Sequence, residues 1–207
     1  ILGALAAALV MLAIYYSFQT SHYVVTDDAK VDAMIVKASP QISGRILELN
    51  FEENQTVESG EVLGRQSDDT LSPLANVDLA VIRAPICGKI IKRLASPGEM
   101  GSPANPVALM VDPEDIYITA NIEEDKIKRI KAGQKVRITV DSFPKVWFRG
   151  KVDSIGSAST SVFSLLPSQS SGTFVKVTQR IPVKILLEKD YEEDLLPGMN
   201  AIVKIYL

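Results

Sequence analysis

Ser39-Pro40-Gln41-Ile42-Ser43-Gly44-Arg45-Ile46-Leu47 and Arg83-Ala84-Pro85-Ile86-Cys87-Gly88-Lys89-Ile90-Ile91 are two copies of one short pattern. In each, a proline (Pro40, Pro85) forces an extended approach, a glycine (Gly44, Gly88) bends the chain, and a basic-Ile-aliphatic strand follows. The first copy leads on to Gln55-Thr56-Val57 and Gly60-Glu61-Val62-Leu63, the second to Gly98-Glu99-Met100 and Pro106-Val107-Ala108-Leu109. Gly44 to Val57 is thirteen positions and Gly88 to Met100 is twelve, so the copies stay nearly in register. Two repeats are too few for a solenoid, which needs at least three. They suffice for a two-fold sandwich in which each half buries the other's apolar face.

Working outward, the halves of this domain (38–113) are residues 38–65 and 81–113, joined by a short linker, 66–80. Gln66 to Asn76 is polar and broken by Pro73. Upstream, 19–37 is an extended segment whose Val31, Ala33 and Ile35 fall on one face. Downstream, 114–207 changes character. Ile116 to Ile122, Lys135 to Val140, Phe148 to Ile155, Phe174 to Leu187 and Ala201 to Leu207 read as strands rich in Val and Ile. Glu123 to Lys131 reads as a short helix, with acids in its first turn, bases in its last and Gly133 as the stop. Many strands and one short helix predict a small antiparallel barrel. The fold class is therefore mostly β.

Residues 1–18 carry no charge and are dominated by Ala, Leu, Ile, Val and Met. As a helix they span ~27 Å, close to the hydrocarbon thickness of a bilayer. Tyr15, Tyr16 and Phe18 suit the membrane–water interface. We read 1–18 as a transmembrane anchor. The competing reading, a signal-peptide core, is disfavoured by the length of the run and because no A-x-A cleavage site follows it.

Composition narrows the chemistry. A net charge of −3 without a Lys/Arg cluster in the sequence argues against nucleic acid. One cysteine excludes a disulfide framework and any Cys-based metal site, and one histidine, His22, excludes most His-dependent metal and triad chemistry. Carboxylates occur throughout, yet none has a companion base, nucleophile or metal ligand, so no catalytic, cofactor-binding or metal residue is assigned.

Thr26-Asp27-Asp28-Ala29-x-Val31, Ser39 to Gly44 and Ile82-Arg83-Ala84-Pro85-x-x-Gly88 resemble signatures of periplasmic adaptors, or membrane fusion proteins, of the haemolysin-secretion-D type. Ser161-Val162-Phe163-Ser164-Leu165-Leu166-Pro167, Gly172 to Val177 and Gln179-Arg180-Ile181-Pro182-Val183 resemble the EmrA-type branch, which serves major-facilitator drug exporters. Leu196-Pro197-Gly198-Met199 is similar to the family's barrel. The likeness covers nearly the whole chain. It implies a split biotinyl/lipoyl-like barrel-sandwich hybrid followed by a small β-barrel, inner-membrane attachment, a soluble part in the periplasm, and self-association.

The chain departs from that pattern in one place. Such adaptors carry a long coiled-coil hairpin between the lipoyl halves, and Gln66 to Ala80 is far too short for two helices. Leu74 to Ala80 resembles the tail of a returning helix. The lipoyl likeness also raises an acyl-carrier reading, which needs a lysine at the hairpin joining the halves. Ser67-Asp68-Asp69-Thr70-Leu71-Ser72 has none. Shared fold does not carry that function with it.

Individual residues divide into bland and pointed readings. Cys87, beside Ile86 and Gly88, reads as a small core thiol. His22 reads as a solvated side chain just past the anchor, and Asp27-Asp28 as a solvated turn. The serine-rich stretch Ser157 to Gly172 carries Phe163, Leu165 and Leu166, which either tuck onto the barrel or form an apolar contact for a partner. Trp147 and Phe148 extend the same candidate surface. The expected function is that of a non-enzymatic adaptor of a multidrug efflux pump, working with a major-facilitator exporter in the inner membrane and, as a further candidate, an outer-membrane channel. The alternatives are an adaptor of an ATP-driven toxin exporter and, less favoured, an acyl-carrier domain.

Overall fold

The computed structural model describes residues 11, 22–67, 76–159, 178–191 and 193–207. The chain divides into two compact units, residues 33–116 and a second made of the preceding segment with 117–207. The anchor and hairpin-region expectations on 1–10, 12–21 and 68–75 lie outside the described residues. Among those described, no helix is long and apolar enough to cross a membrane.

Residues 33–116 hold the duplicated pattern. Strands β2 (Gly44–Leu49), β3 (Thr56–Val57) and β4 (Val62–Gln66) come from the first copy. Strands β5 (Val81–Arg83), β6 (Gly88–Arg93) and β7 (Met100–Gly101) come from the second, which ends in the first part of β8 (Ala108–Glu123). The copies exchange strands: β2 pairs with β7 (Gly44 opposite Gly101) and β3 pairs with β6 (Val57 opposite Gly88). Both pairings recur 44 positions on, and so do several backbone hydrogen bonds. Ile46 N donates to Glu99 O (2.8 Å) as Ile90 N donates to Gln55 O (2.9 Å), and Asn50 N to Leu63 O as Leu94 N to Val107 O (both 2.8 Å). The register is thus complete rather than approximate, with Val57 matching Gly101 and Thr56 matching Met100. Ile46, Phe51, Val57, Leu63, Ile82, Ile90, Val107 and Met110 fill the space between the halves. Each such side chain contributes ~1.5–3 kcal/mol relative to exposure.

Gly44 and Gly88 begin the equivalent strands, but neither lies in the left-handed region. Close approach is what demands glycine. A Cβ at Gly44 would stand 2.5 Å from Ser67 O, and one at Gly88 would stand 2.4 Å from Val111 O, again 44 positions apart. Pro40 before the first bend is buried, whereas Pro85 before the second is exposed. Gln66 belongs to β4 rather than to the linker; it is buried and its Nε2 donates to Ile42 O at 2.8 Å. The tail expected to return as a helix is a single 3-10 turn, Val77–Ala80, capped by the Asn76 side chain.

The other unit is the expected antiparallel barrel. Its strands are β1 (Tyr23–Ala38), β8, β9 (Lys135–Val140), β10 (Phe148–Ile155), β11 (Arg180–Leu187) and β12 (Asn200–Tyr206). They run in the order β1-β12-β9-β10-β11-β8, and a β1–β8 pairing closes the ring. Alternation drives it: Val136, Ile138 and Val140 point inward from β9, Phe148 and Val152 from β10, Val183 and Ile185 from β11, and Val203 and Ile205 from β12. The helix α1 is only Glu124–Ile127, much shorter than 123–131. It has no side-chain N-cap, and a segment this short is below the length at which helix propagates on its own. Gly133 (φ 87°) closes the turn after it. Along β1, Val31 and Ala33 are buried but Ile35 is 50% exposed. The alternation slips where Met34 and Ile35 are both exposed, so Ile35 leaves the face that the pattern of twos assigned it.

Candidate functional site

Exposed side chains, and the polar ties that position them, make up the candidate surfaces of the barrel. The first tie joins two distant sequence motifs on the barrel. Asp28 on β1 makes an ion pair with Arg180 on β11 and accepts from Asn121 Nδ2 on β8 at 3.1 Å. Thr26 Oγ1 donates to Asn121 O at 3.0 Å. Burial pushes the Asp28 carboxyl up, but the bonds from Asn121 and Arg180 and the Arg180 charge outweigh it, holding the group below the usual carboxylate range. Asp28 therefore sits in a strand and ties two others, β8 and β11, to it; it is not a solvated turn.

Trp147 is 65% exposed, and the Arg137 guanidinium lies over its ring at 4.4 Å. Phe148 is the opposite case. It is 1% exposed and packs edge-to-face on Phe143 and Tyr191 inside the barrel, so it offers no surface. Phe148 opens β10 in the register that faces inward with Gly150 and Val152, whereas Trp147 precedes the strand. Phe163, Leu165 and Leu166 lie outside the described residues. Cys87 is exposed rather than in the core, and its sulfur accepts from Ser59 N at 3.3 Å. Gly44 and Gly88 open β2 and β6 where a neighbouring carbonyl approaches closely.

Among the described residues no three His, Cys, Asp or Glu side chains cluster as a metal site. What the strands do bring together, unnoticed in the linear reading, is positive charge. Lys204 lies opposite Arg137, Arg137 opposite Arg149, and Lys135 opposite Lys151, on the outer face of β12, β9 and β10. The signal was present as Lys135-x-Arg137 and Arg149-x-Lys151, where every second residue of a strand is basic. In one strand that is an ordinary solvated face; only the register stacks the pairs.

Comparison with known proteins completes the picture. Residues 34–113 match the family model described as "RND MFP, barrel-sandwich hybrid domain", and 115–206 match "AAEA-like beta-barrel domain". The chain is 36% identical over 188 residues to the putative efflux system component YhbJ of Bacillus subtilis, covering 90% of this chain and 81% of that protein. The chain belongs to the membrane fusion protein family of periplasmic adaptors. Other adaptor relatives are much longer. The colistin resistance protein EmrA of Acinetobacter baumannii is 35% identical over 69% of this chain but 41% of its own length. The multidrug export protein EmrA of Escherichia coli is 34% identical over 60% of this chain and 33% of its own. The chain thus spans less than half of these two relatives. Solved adaptors share the fold at low identity. The periplasmic adaptor protein EmrA aligns at 16% identity with TM-score 0.59, over 89% of this chain and 98% of that one. A MacA–MexA chimera aligns at 19% with TM-score 0.70, over 89% and 82%.

Proposed function

We propose that this membrane fusion protein is the adaptor subunit of a multidrug efflux pump, attached to the inner membrane by residues 1–18 with its β units in the periplasm. It would bind a major-facilitator exporter, self-associate, and assist outward passage of hydrophobic drugs without catalysing a reaction. The single observation that carries this reading is the strand-exchanged sandwich followed by the closed barrel, in the order in which the two family models match. The efflux names of its relatives and the lack of a lysine between the sandwich halves favour transport over acyl carriage. The short 66–80 connection leaves no length for a coiled-coil hairpin, so any contact with an outer-membrane channel would need another route.

The partner contact is assigned to Phe163, Leu165 and Leu166, large apolar residues in a serine-rich stretch. The test is co-purification from membranes with the exporter encoded beside it, together with drug susceptibility of a strain lacking the adaptor gene. Capture of the exporter and restored resistance are expected. Restored secretion of a protein toxin with unchanged drug susceptibility would assign the chain to an ATP-driven system instead.

A further inference from the structure

We propose that the outer face of β12, β9 and β10 docks on an anionic phospholipid surface, the headgroups of the membrane that residues 1–18 are expected to span. The inference rests on that anchoring reading.

Three observations carry it. The first is charge placed against its own interest. Like charges directly opposite on neighbouring strands destabilise a sheet, yet three such pairs occur here: Lys204 with Arg137, Arg137 with Arg149, and Lys135 with Lys151. In a chain of net charge −3 this cluster is a local arrangement, not a reflection of composition. Glu188 and Asp190 pair with Arg149 and Lys151, but among the described residues no carboxylate pairs with Lys135, Arg137 or Lys204. An anionic surface would supply the missing counter-charge.

The second is the company these cations keep. Lys204 Nζ lies 3.8 Å from the centre of the Tyr23 ring, Tyr23 stacks edge-on against Tyr206 at 5.2 Å, and Arg137 covers Trp147. Val25, opposite Lys204, and Ile202 are exposed on the same face. Tyr and Trp interleaved with Lys and Arg, plus a few exposed aliphatics, is the composition that settles at headgroup depth. Protein interfaces also gather Tyr, Trp and Arg, so what favours headgroups over an acidic protein partner is the short tether to the apolar segment.

The third is reach. Four residues, 19–22, separate Phe18 from Tyr23, and the five steps between them span at most ~18 Å of extended chain. Tyr23 pairs with Tyr206, and Lys135 and Lys151 follow on the next two strands, within ~15 Å at the usual strand spacing. The basic face is therefore held close to the end of the apolar segment, whatever path residues 19–22 take.

Trp147 is the chain's single tryptophan and reports on this face directly. The full chain is reconstituted into vesicles of phosphatidylcholine alone or with phosphatidylglycerol, each with and without bromine-labelled lipid. Docking predicts that Trp147 emission shifts to the blue and is quenched only in the anionic vesicles, and that high salt reverses both effects. The Lys135→Gln/Lys204→Gln variant keeps Arg137 over Trp147 and relieves like-charge contacts, so it should fold normally. It should lower the ratio of docked to undocked protein by about five-fold for each charge removed. Identical Trp147 spectra in neutral and anionic vesicles would overturn the proposal and leave an acidic partner as the occupant. Alkaline extraction of the same vesicles separates the two readings. Release of the wild-type chain ends the anchoring reading; retention with a silent Trp147 ends docking alone.

Discussion

Asn54 and Gly98 occupy the same position in the two halves of the sandwich, and both have left-handed backbone angles (φ 70° and 94°). Each donates its N–H to the strand of the other half, Asn54 to Ile90 O and Gly98 to Ile46 O, both at 2.7 Å. Asn54 is the one non-glycine residue with positive φ among the described residues. Asparagine is one of the few side chains that visits this region readily.

That equivalence gives the first prediction. Gly98→Asn should be nearly neutral, because Asn54 already satisfies the same turn. Gly98→Val should cost ~1–2 kcal/mol, from backbone strain alone, since no atom lies within 4 Å of the added Cβ. Urea denaturation of the three proteins reads the difference. Equal loss for Asn and Val would show that side-chain bulk, not φ, sets the limit.

Gly44 and Gly88 lead to a second. Here the angle is permissive and the neighbour is not, so even Gly88→Ala must push β6 away from the Val111 carbonyl. We expect a loss of ~1–3 kcal/mol for either Gly44→Ala or Gly88→Ala, as for overpacked sites generally. A pair of variants with unchanged melting temperatures would mean that the strands separate at no cost.

The two halves are not filled alike. Phe51 is buried in the first half and capped by Arg93, whose guanidinium stands 5.4 Å from the ring centre. The equivalent residue is Ala95, and Gly101 and Val107 stand where the first half has Val57 and Leu63. These smaller residues, with Ile46 and Met100, line a groove of about 310 Å3. Ala95→Phe should fill it and stabilise the chain by ~0.5–2 kcal/mol, as cavity-filling substitutions do. Destabilisation in a thermal melt would show that the groove's shape differs from its counterpart.

Asp28 and Arg180 set a pH dependence. The carboxyl's folded-state pKa lies below its ordinary value of 3.8, so the pair's contribution is complete above that value. It is lost as pH falls below 3.8 through the folded-state pKa. Arg180→Gln should therefore flatten the acid limb of the barrel's melting curve and leave its slope between pH 5 and 7 unchanged. The effect will be small, because both side chains are partly exposed and solvent screens them. A variant whose acid limb matches the wild type would remove this pair as the cause.

The serine-rich stretch carrying Phe163, Leu165 and Leu166 yields the functional prediction. Changing all three to serine should move stability by less than ~0.5 kcal/mol if they face a partner. Drug resistance should nevertheless fall, because apolar anchors carry most interface energy. A loss of several kcal/mol with no separate loss of efflux would place them on the barrel instead.

Much of this was legible in the linear chain because the physics behind it is local. Pro-then-Gly before a short apolar strand marks a forced extension and a bend wherever it occurs, so the two copies announced two equivalent strand starts. Alternation of Val and Ile with polar residues drew β9 and β10 to the residue, since each strand needs one apolar face whatever its partner is. Other features depend on which chain segments meet. Cys87 looked like core by its neighbours, but whether a side chain is covered depends on what packs against it. Trp147 and Phe148 looked like one surface until the strand's pleat sent one inside. The 44-residue two-fold, the carbonyls that crowd Gly44 and Gly88, the Asp28–Arg180 tie across 152 positions and the stacked cations of β12, β9 and β10 are products of register. Register is fixed by closing a barrel and burying a shared core, a cooperative choice that no single strand makes alone.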